Sequence, residues 1–395
     1  MSPGLRRVLA LGVTAVLVVV VFIAGIKLLG RSTSSTSADG GATGASGAPA
    51  ATVTCIGGSE KTSLMADPRV KKILADTYGL TVSFSPMGSY DQVSLPDAEL
   101  KARGADCLWP SSVSAQYVFE ATHKTSSYPG YRAQTVLQSP EVVYAGPTGT
   151  AALVKAGIVA QRSNGRYYIV DLKKLMTDVI DKGVAWDKLG AADLSGPVQI
   201  SSTDPAKSNS GFTLYQLMLT MLASPNVYQA PDVAQAKVAL PQLRAIYDKQ
   251  GLQARSSDAG FDQWLLQGAE AHAPLYAGYE SQIIQKTVQY ATNAAAKTLL
   301  AQQVRILYPE PTIYSDHPVI ALDAAAGRFV DAMKDLEIQK IAWTTYGFRS
   351  GTEIGLNDVT TFPGLPLAQQ LKTTTPPNAA VTQLLLSCIR DNTCS

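Results

Sequence analysis

The chain alternates short apolar runs with longer helical stretches, and this rhythm constrains the fold more than any single motif. "TVTCIGG" (52–58) reads as a buried strand, followed by "SEKTSLMADPRVKKILADTYG" as a helix with a Ser- and Thr-rich first turn. "LTVSFSPMGSY" is a second strand ending in a polar turn, "ADCLWPSS" (105–112) a third and "EVVYAGP" (141–147) a fourth. The rhythm resumes with "PVQISST" as a strand and "GFTLYQLMLTMLAS" as a helix. Later come "APLYAGYESQII", "VRILYPEP" and "TIYSDHPVIAL". Strands interleaved with helices predict an α/β fold built on mostly parallel sheets. A chain of 395 residues is too long for one small core, which predicts two lobes.

Strand after strand ends in hydroxyls: Ser59 after the first, Ser85 and Ser89 after the second, Ser111 and Ser112 after the third, Ser201–Thr203 after a later one. In open parallel sheets ligands sit beyond the carboxyl ends of the strands, where helix N-termini offer free N–H groups. Serine there either caps the helix or points at a ligand; for the set as a whole, a lined cleft is the stronger reading. The most polar of these turns is "STDPAKSNSG" (202–211). Asn209 or Ser210 is expected to cap a helix opening at Gly211, with Ser208 facing the cleft and Gly211 admitting a close backbone approach to ligand. Lys207 reads as a solvated side chain, with a ligand contact as the alternative.

Composition excludes several classes. Apolar residues make up 46% and charged residues 16%, the profile of a folded globular chain. Arg6, Arg7, Lys27, Arg31 and Asp39 are the charges of residues 1–51, so the remainder is within one charge of neutral. Nothing here suggests a nucleic-acid partner. Val8–Ile26 carries no charge and is close to the ~20 residues that span a bilayer, so it reads as an uncleaved membrane anchor, with a cleaved signal as the alternative. "STSSTSADGGATGASGAPAA" (32–51) reads as a flexible tether holding a folded body on the outer, extracellular face of the cell membrane. Cys55, Cys107, Cys388 and Cys394 allow three pairings. Cys55–Cys107, on neighbouring strands, and Cys388–Cys394, closing a short tail loop, are the preferred pairs; buried free thiols are the alternative.

Signatures of catalysis are missing. There is no G-x-S-x-G elbow and no phosphate-binding G-x-x-x-x-G-K-[ST] loop. His123, His272 and His317 are the only histidines and show no paired spacing, so neither a metal site nor a cofactor is expected. His317 in "YSDHP" either orients Asp316, touches a ligand or stands in a capped turn. The chain is read as a non-enzyme.

With "STDPAKSNSG", "APLYAGYESQII", "LYPEPTIYSDHPVIAL" and "EIQKIAWTTYGFRSG", the chain resembles bacterial extracellular solute-binding proteins of the type II periplasmic-binding-protein superfamily, which includes molybdate- and sulfate-binding proteins. The resemblance covers roughly residues 52–355. It implies a first lobe at 52–145 and 301–355 and a second lobe at 146–300; the anchor at 1–31, itself a departure from the freely diffusing pattern, the linker at 32–51 and a C-terminal extension at 356–395 lie outside it. It also implies that a small oxyanion or polar metabolite is captured between the lobes, for an ABC-type permease. The expected ligand-binding residues are Ser59, Ser89, Ser111, Ser112, Ser208, Asn209, Ser210, Tyr279 and Glu280. Glu280 is the departure, since a carboxylate facing inward would repel an anion. The rival reading is a sensor or protein-interaction module on the same fold.

Overall fold

The computed structural model describes residues 50–162, 167–250 and 253–394. Its strands are β1 (Ala51–Gly57), β2 (Leu80–Pro86), β3 (Cys107–Trp109), β4 (Arg132–Ala145), β5 (Val159–Arg162), β6 (Tyr167–Val170), β7 (Ser202–Thr203), β8 (Gln253–Ala254), β9 (Leu275–Tyr279), β10 (Arg305–Pro309), β11 (Tyr314–Ala321) and β12 (Arg349–Ser350).

One long strand organises them. The first half of β4 pairs with β11 over Arg132–Pro140 and with β12 at Leu137 and Gln138. Its second half pairs with β9 over Glu141–Ala145 and with β10 over Val143–Ala145. The first lobe's sheet runs β2-β1-β3-β11-β4; the second lobe's sheet continues from β4 to β10, β6 and β5, with β9 also on β4. Ser201 bridges Tyr276 in parallel and ties the β7–β8 pair to this second sheet. The chain therefore changes sheets inside β4 near Pro140, and again between Pro309 and Tyr314. Val142, Val143, Tyr144 and Ala145 are all fully buried, which explains why this half of the strand reads as a continuous apolar run.

The sheets are mixed, not mostly parallel as the alternation predicted. β1 pairs in parallel with β2 and β3, but β11 runs antiparallel to β3 and to β4. The reason is the passage between lobes: a strand leaving one sheet and a strand returning to it run in opposite directions, a reversal that local periodicity does not encode.

Both disulfides form as the preferred pairs. Cys55 and Cys107 are register partners on β1 and β3 with Cα atoms 4.6 Å apart, and Cys388 joins Cys394. The second bond closes the end of a helix at Ala379–Asp391, whose Val381, Leu385 and Ile389 are buried. This helix packs against Val113–Thr122 of the first lobe and against Val233–Tyr247 of the second. One apolar cluster accordingly runs through both lobes, from Ile56, Leu108 and Val118 to Phe212, Leu217 and Leu243.

The anchor needs correction. Among the described residues no helix is long and apolar enough to cross a membrane. The stretch read as an anchor, and the tether after it up to residue 49, lie outside the described residues. A membrane-anchored, single-pass placement therefore has no support, and neither does a membrane partner through that helix; both are dropped from the functional reading.

Candidate functional site

Three turns of the first lobe and two of the second meet around one cavity of about 190 Å³. From the first lobe come Gly58–Glu60 after β1, Pro86–Ser89 after β2 and Ser111 after β3. The second lobe supplies Lys207–Asn209 and Arg255–Ser257. Ser59, Ser89, Ser111, Ser208 and Asn209, five of the expected residues, thus converge from opposite lobes.

The second-lobe wall is made by two helix starts. The helix Asn209–Ala223 has Ser208 as its N-cap residue, and Ser257–Leu266 has Ser256; neither side chain caps its own helix. Ser208 Oγ instead lies 2.9 Å from Ser257 Oγ, holding the two starts side by side. The helix therefore opens two residues earlier than expected, and neither Asn209 nor Ser210 caps it. First-turn N–H groups of both helices, with their partial positive charge, border the cavity. Gly211 does not face a ligand. Its amide donates to Thr203 Oγ1 at 2.7 Å, and a Cβ there would collide with the Thr203 carbonyl, so glycine is required by the adjoining strand.

Asn209 reaches across to the first lobe. Its Nδ2 stands 2.9 Å from the Ser111 carbonyl, 3.1 Å from Ser315 Oγ and 3.0 Å from Tyr279 OH, while Oδ1 has no partner. Ser111 in turn donates its N–H to Ser89 Oγ at 2.9 Å. The hydroxyls of the first lobe are thus oriented by one another and by the second lobe.

Behind Ser111 lies a cluster that the sequence did not single out. Lys61 Nζ is fully buried and lies 2.5 Å from Glu60 Oε1, 2.9 Å from Ser111 Oγ and 3.2 Å from His317 Nδ1, above the Trp109 ring. Ser111 Oγ also donates to Glu60 Oε1. Burial alone would raise the Glu60 carboxyl, but the Lys61 ammonium and His317 hold it well below the usual carboxylate range. Burial pulls Lys61 downward against the opposing effect of Glu60; the close contact and the acceptors around Nζ favour the ion pair. Burial, reinforced by Lys61, lowers His317 to about 4, so its ring is neutral at pH 7. Glu60 therefore lines the cavity with its charge already compensated. Gly58 permits this, because a Cβ there would collide with Ser111 Oγ and Glu60 Oε1.

The other expected residues stand off the cavity. Ser112 caps the helix Val113–Thr122, accepting from Ser114 N–H at 3.1 Å. Ser210 is fully buried and its hydroxyl has no partner. Tyr279 is a second layer, its OH accepting from Asn209. Glu280 does not face inward at all. It is fully buried, takes Arg349 Nε at 2.7 Å and Nη2 at 2.9 Å, and accepts from Tyr308 OH at 2.5 Å. Its neutralisation by Arg349 removes the anticipated conflict with an anion. His317 and Asp316 point to opposite faces of β11, and Asp316 accepts from Gln138 at 2.5 Å, so Asp316 does not orient His317. Among the described residues no group of His, Cys, Asp and Glu is arranged to hold a metal ion.

No family model and no curated protein matches the chain. Solved structures do. A periplasmic thiamin-binding protein matches with a TM-score of 0.54 and 14% identity over 86% of this chain and 95% of its own. The periplasmic binding protein AfuA from Actinobacillus pleuropneumoniae, with fructose-6-phosphate bound, matches with a TM-score of 0.52 and 14% identity over 86% and 97%. The periplasmic binding protein P5PA matches at 0.52 and 12% over 85% and 97%. The fold is shared with these binding proteins. It is of the two-lobed kind that the resemblance implied.

Proposed function

We propose that the chain is a solute-binding protein that captures a small oxyanion or polar metabolite between its lobes and delivers it to an ABC-type permease. The convergence of Ser59, Ser89, Ser111, Ser208 and Asn209 from both lobes on one cavity carries this reading. Lys207 and Arg255 stand at the same cavity, and two helices begin there, so the site favours negative charge. Its volume lies below the roughly 300–1,000 Å³ typical of drug-sized ligands, which suits a small solute. The solved likenesses include a thiamin-binding protein and one holding a sugar phosphate, so the frame accommodates small metabolites of different chemistry.

The test is thermal stabilisation of the full chain against sulfate, molybdate, phosphate, phosphorylated metabolites and neutral or cationic controls. A true ligand at about a hundred times its Kd stabilises by about 2.7 kcal/mol. Stabilisation by anions, lost in Ser208→Ala, is the expected result; no stabilisation by any member of the panel rejects the reading.

A further inference from the structure

The cleft does not end at the cavity described above. A second cavity of about 220 Å³ is also lined by Ser59 and Glu60, so the two meet along that edge. Their chemistry differs. The first has Lys207, Arg255 and the helix starts. The second has Thr62, Ser63, Asp258, Ser281, Gln285 and Gln289, hydroxyls, carboxylate and amides whose side chains take no hydrogen bond within the described residues. Its other acid, Asp262, is neutralised by Lys286 at 2.7 Å, and Glu60 by Lys61. What remains is a dense set of neutral donors and acceptors with one free carboxylate, beside the rings of Phe261 and Phe348. Such a surface suits several hydroxyl groups on a carbon skeleton better than a second anion or a full cation.

We propose that the ligand is a phosphate ester of a polyhydroxylated molecule, its phosphate in the first cavity and its hydroxylated part in the second. The inference rests on the solute-binding reading above. Calorimetric titration of the full chain with inorganic phosphate, glycerol 3-phosphate, glucose 6-phosphate, glucose and phosphocholine tests it. The expected result is that at least one sugar or polyol phosphate binds about tenfold or more tighter than phosphate and phosphocholine, with glucose alone weak. In Gln285→Ala/Gln289→Ala the ratio of ester to phosphate affinity should fall towards one. Phosphate binding as tightly as the esters, or phosphocholine binding tighter than they do, overturns the two-part site and leaves the solute-binding reading standing. Absence of binding by every anion overturns the two-part site, and absence of binding by every compound, glucose included, overturns both.

Discussion

His317 and Glu141 are buried side chains with opposite titration behaviour. Burial and the neighbouring Lys61 lower His317 to about 4, so between pH 4 and its ordinary value near 6.5 the unfolded chain binds the extra proton. Stability from this group therefore grows as pH rises through that window, by roughly 3 kcal/mol. Glu141 sits on β4 where the strand changes sheets, is fully buried, and neither of its carboxyl oxygens has a partner among the described residues. Burial raises its carboxyl well above the ordinary value, so the folded chain keeps a proton that the unfolded chain releases. Its contribution is complete below about pH 4.5 and is lost as pH rises. Across pH 4.5–6.5 the two slopes oppose each other. Glu141→Gln should therefore give a chain whose stability climbs steeply with pH, and His317→Gln one whose stability falls; urea unfolding at pH 4.5, 5.5, 6.5 and 7.5 measures both. Identical profiles for the two variants would show that these side chains do not titrate as their surroundings require.

At the level of elements, the disulfides make the next comparison. Cys55–Cys107 closes 52 residues between two paired strands, and Cys388–Cys394 closes 6 at a helix end. Chain entropy assigns about 4 kcal/mol to the first and about 2 kcal/mol to the second. Cys55→Ala/Cys107→Ala should cost about twice as much in chemical unfolding as Cys388→Ala/Cys394→Ala. Elements are also where the limits of the sequence are plainest. β1, β2 and β3 follow from apolar runs ending in serine; Ser59, Ser89 and Ser111 followed from those endings, and Ser208 and Asn209 from the polar turn at 202–211. The first half of β4, "RAQTVLQS", was missed because its polar and apolar residues come in pairs, Gln134–Thr135 then Val136–Leu137, and do not alternate as a strand's do. Ser256 and Ser257 carry the same hydroxyl signal, but the strand before them, β8, is only two residues long. Glu60 and Lys61 read as an ordinary charged helix start. Only the arrival of His317 from 256 residues away, together with Ser111, buries them as a pair. Likewise Glu280 looked like a cleft carboxylate until Arg349, distant in sequence, was found against it.

The whole molecule is joined on one flank. Tyr90 of the first lobe and Phe212 of the second meet as tilted rings with centroids 4.3 Å apart, inside the apolar cluster common to both lobes. The helix Ala379–Asp391 lies across the same flank, and Arg390 reaches Asp91 at 2.8 Å. Leu385→Ala, at a fully buried position of this helix, should cost about 2–5 kcal/mol in chemical unfolding and speed ligand dissociation in stopped-flow measurements. Unchanged dissociation in a destabilised variant would show that the helix supports the fold without restraining the lobes. The exposed cations Lys207 and Arg255 line the same cavity as the buried Ser208 and Ser257, so charge draws an anion in and hydroxyls receive it.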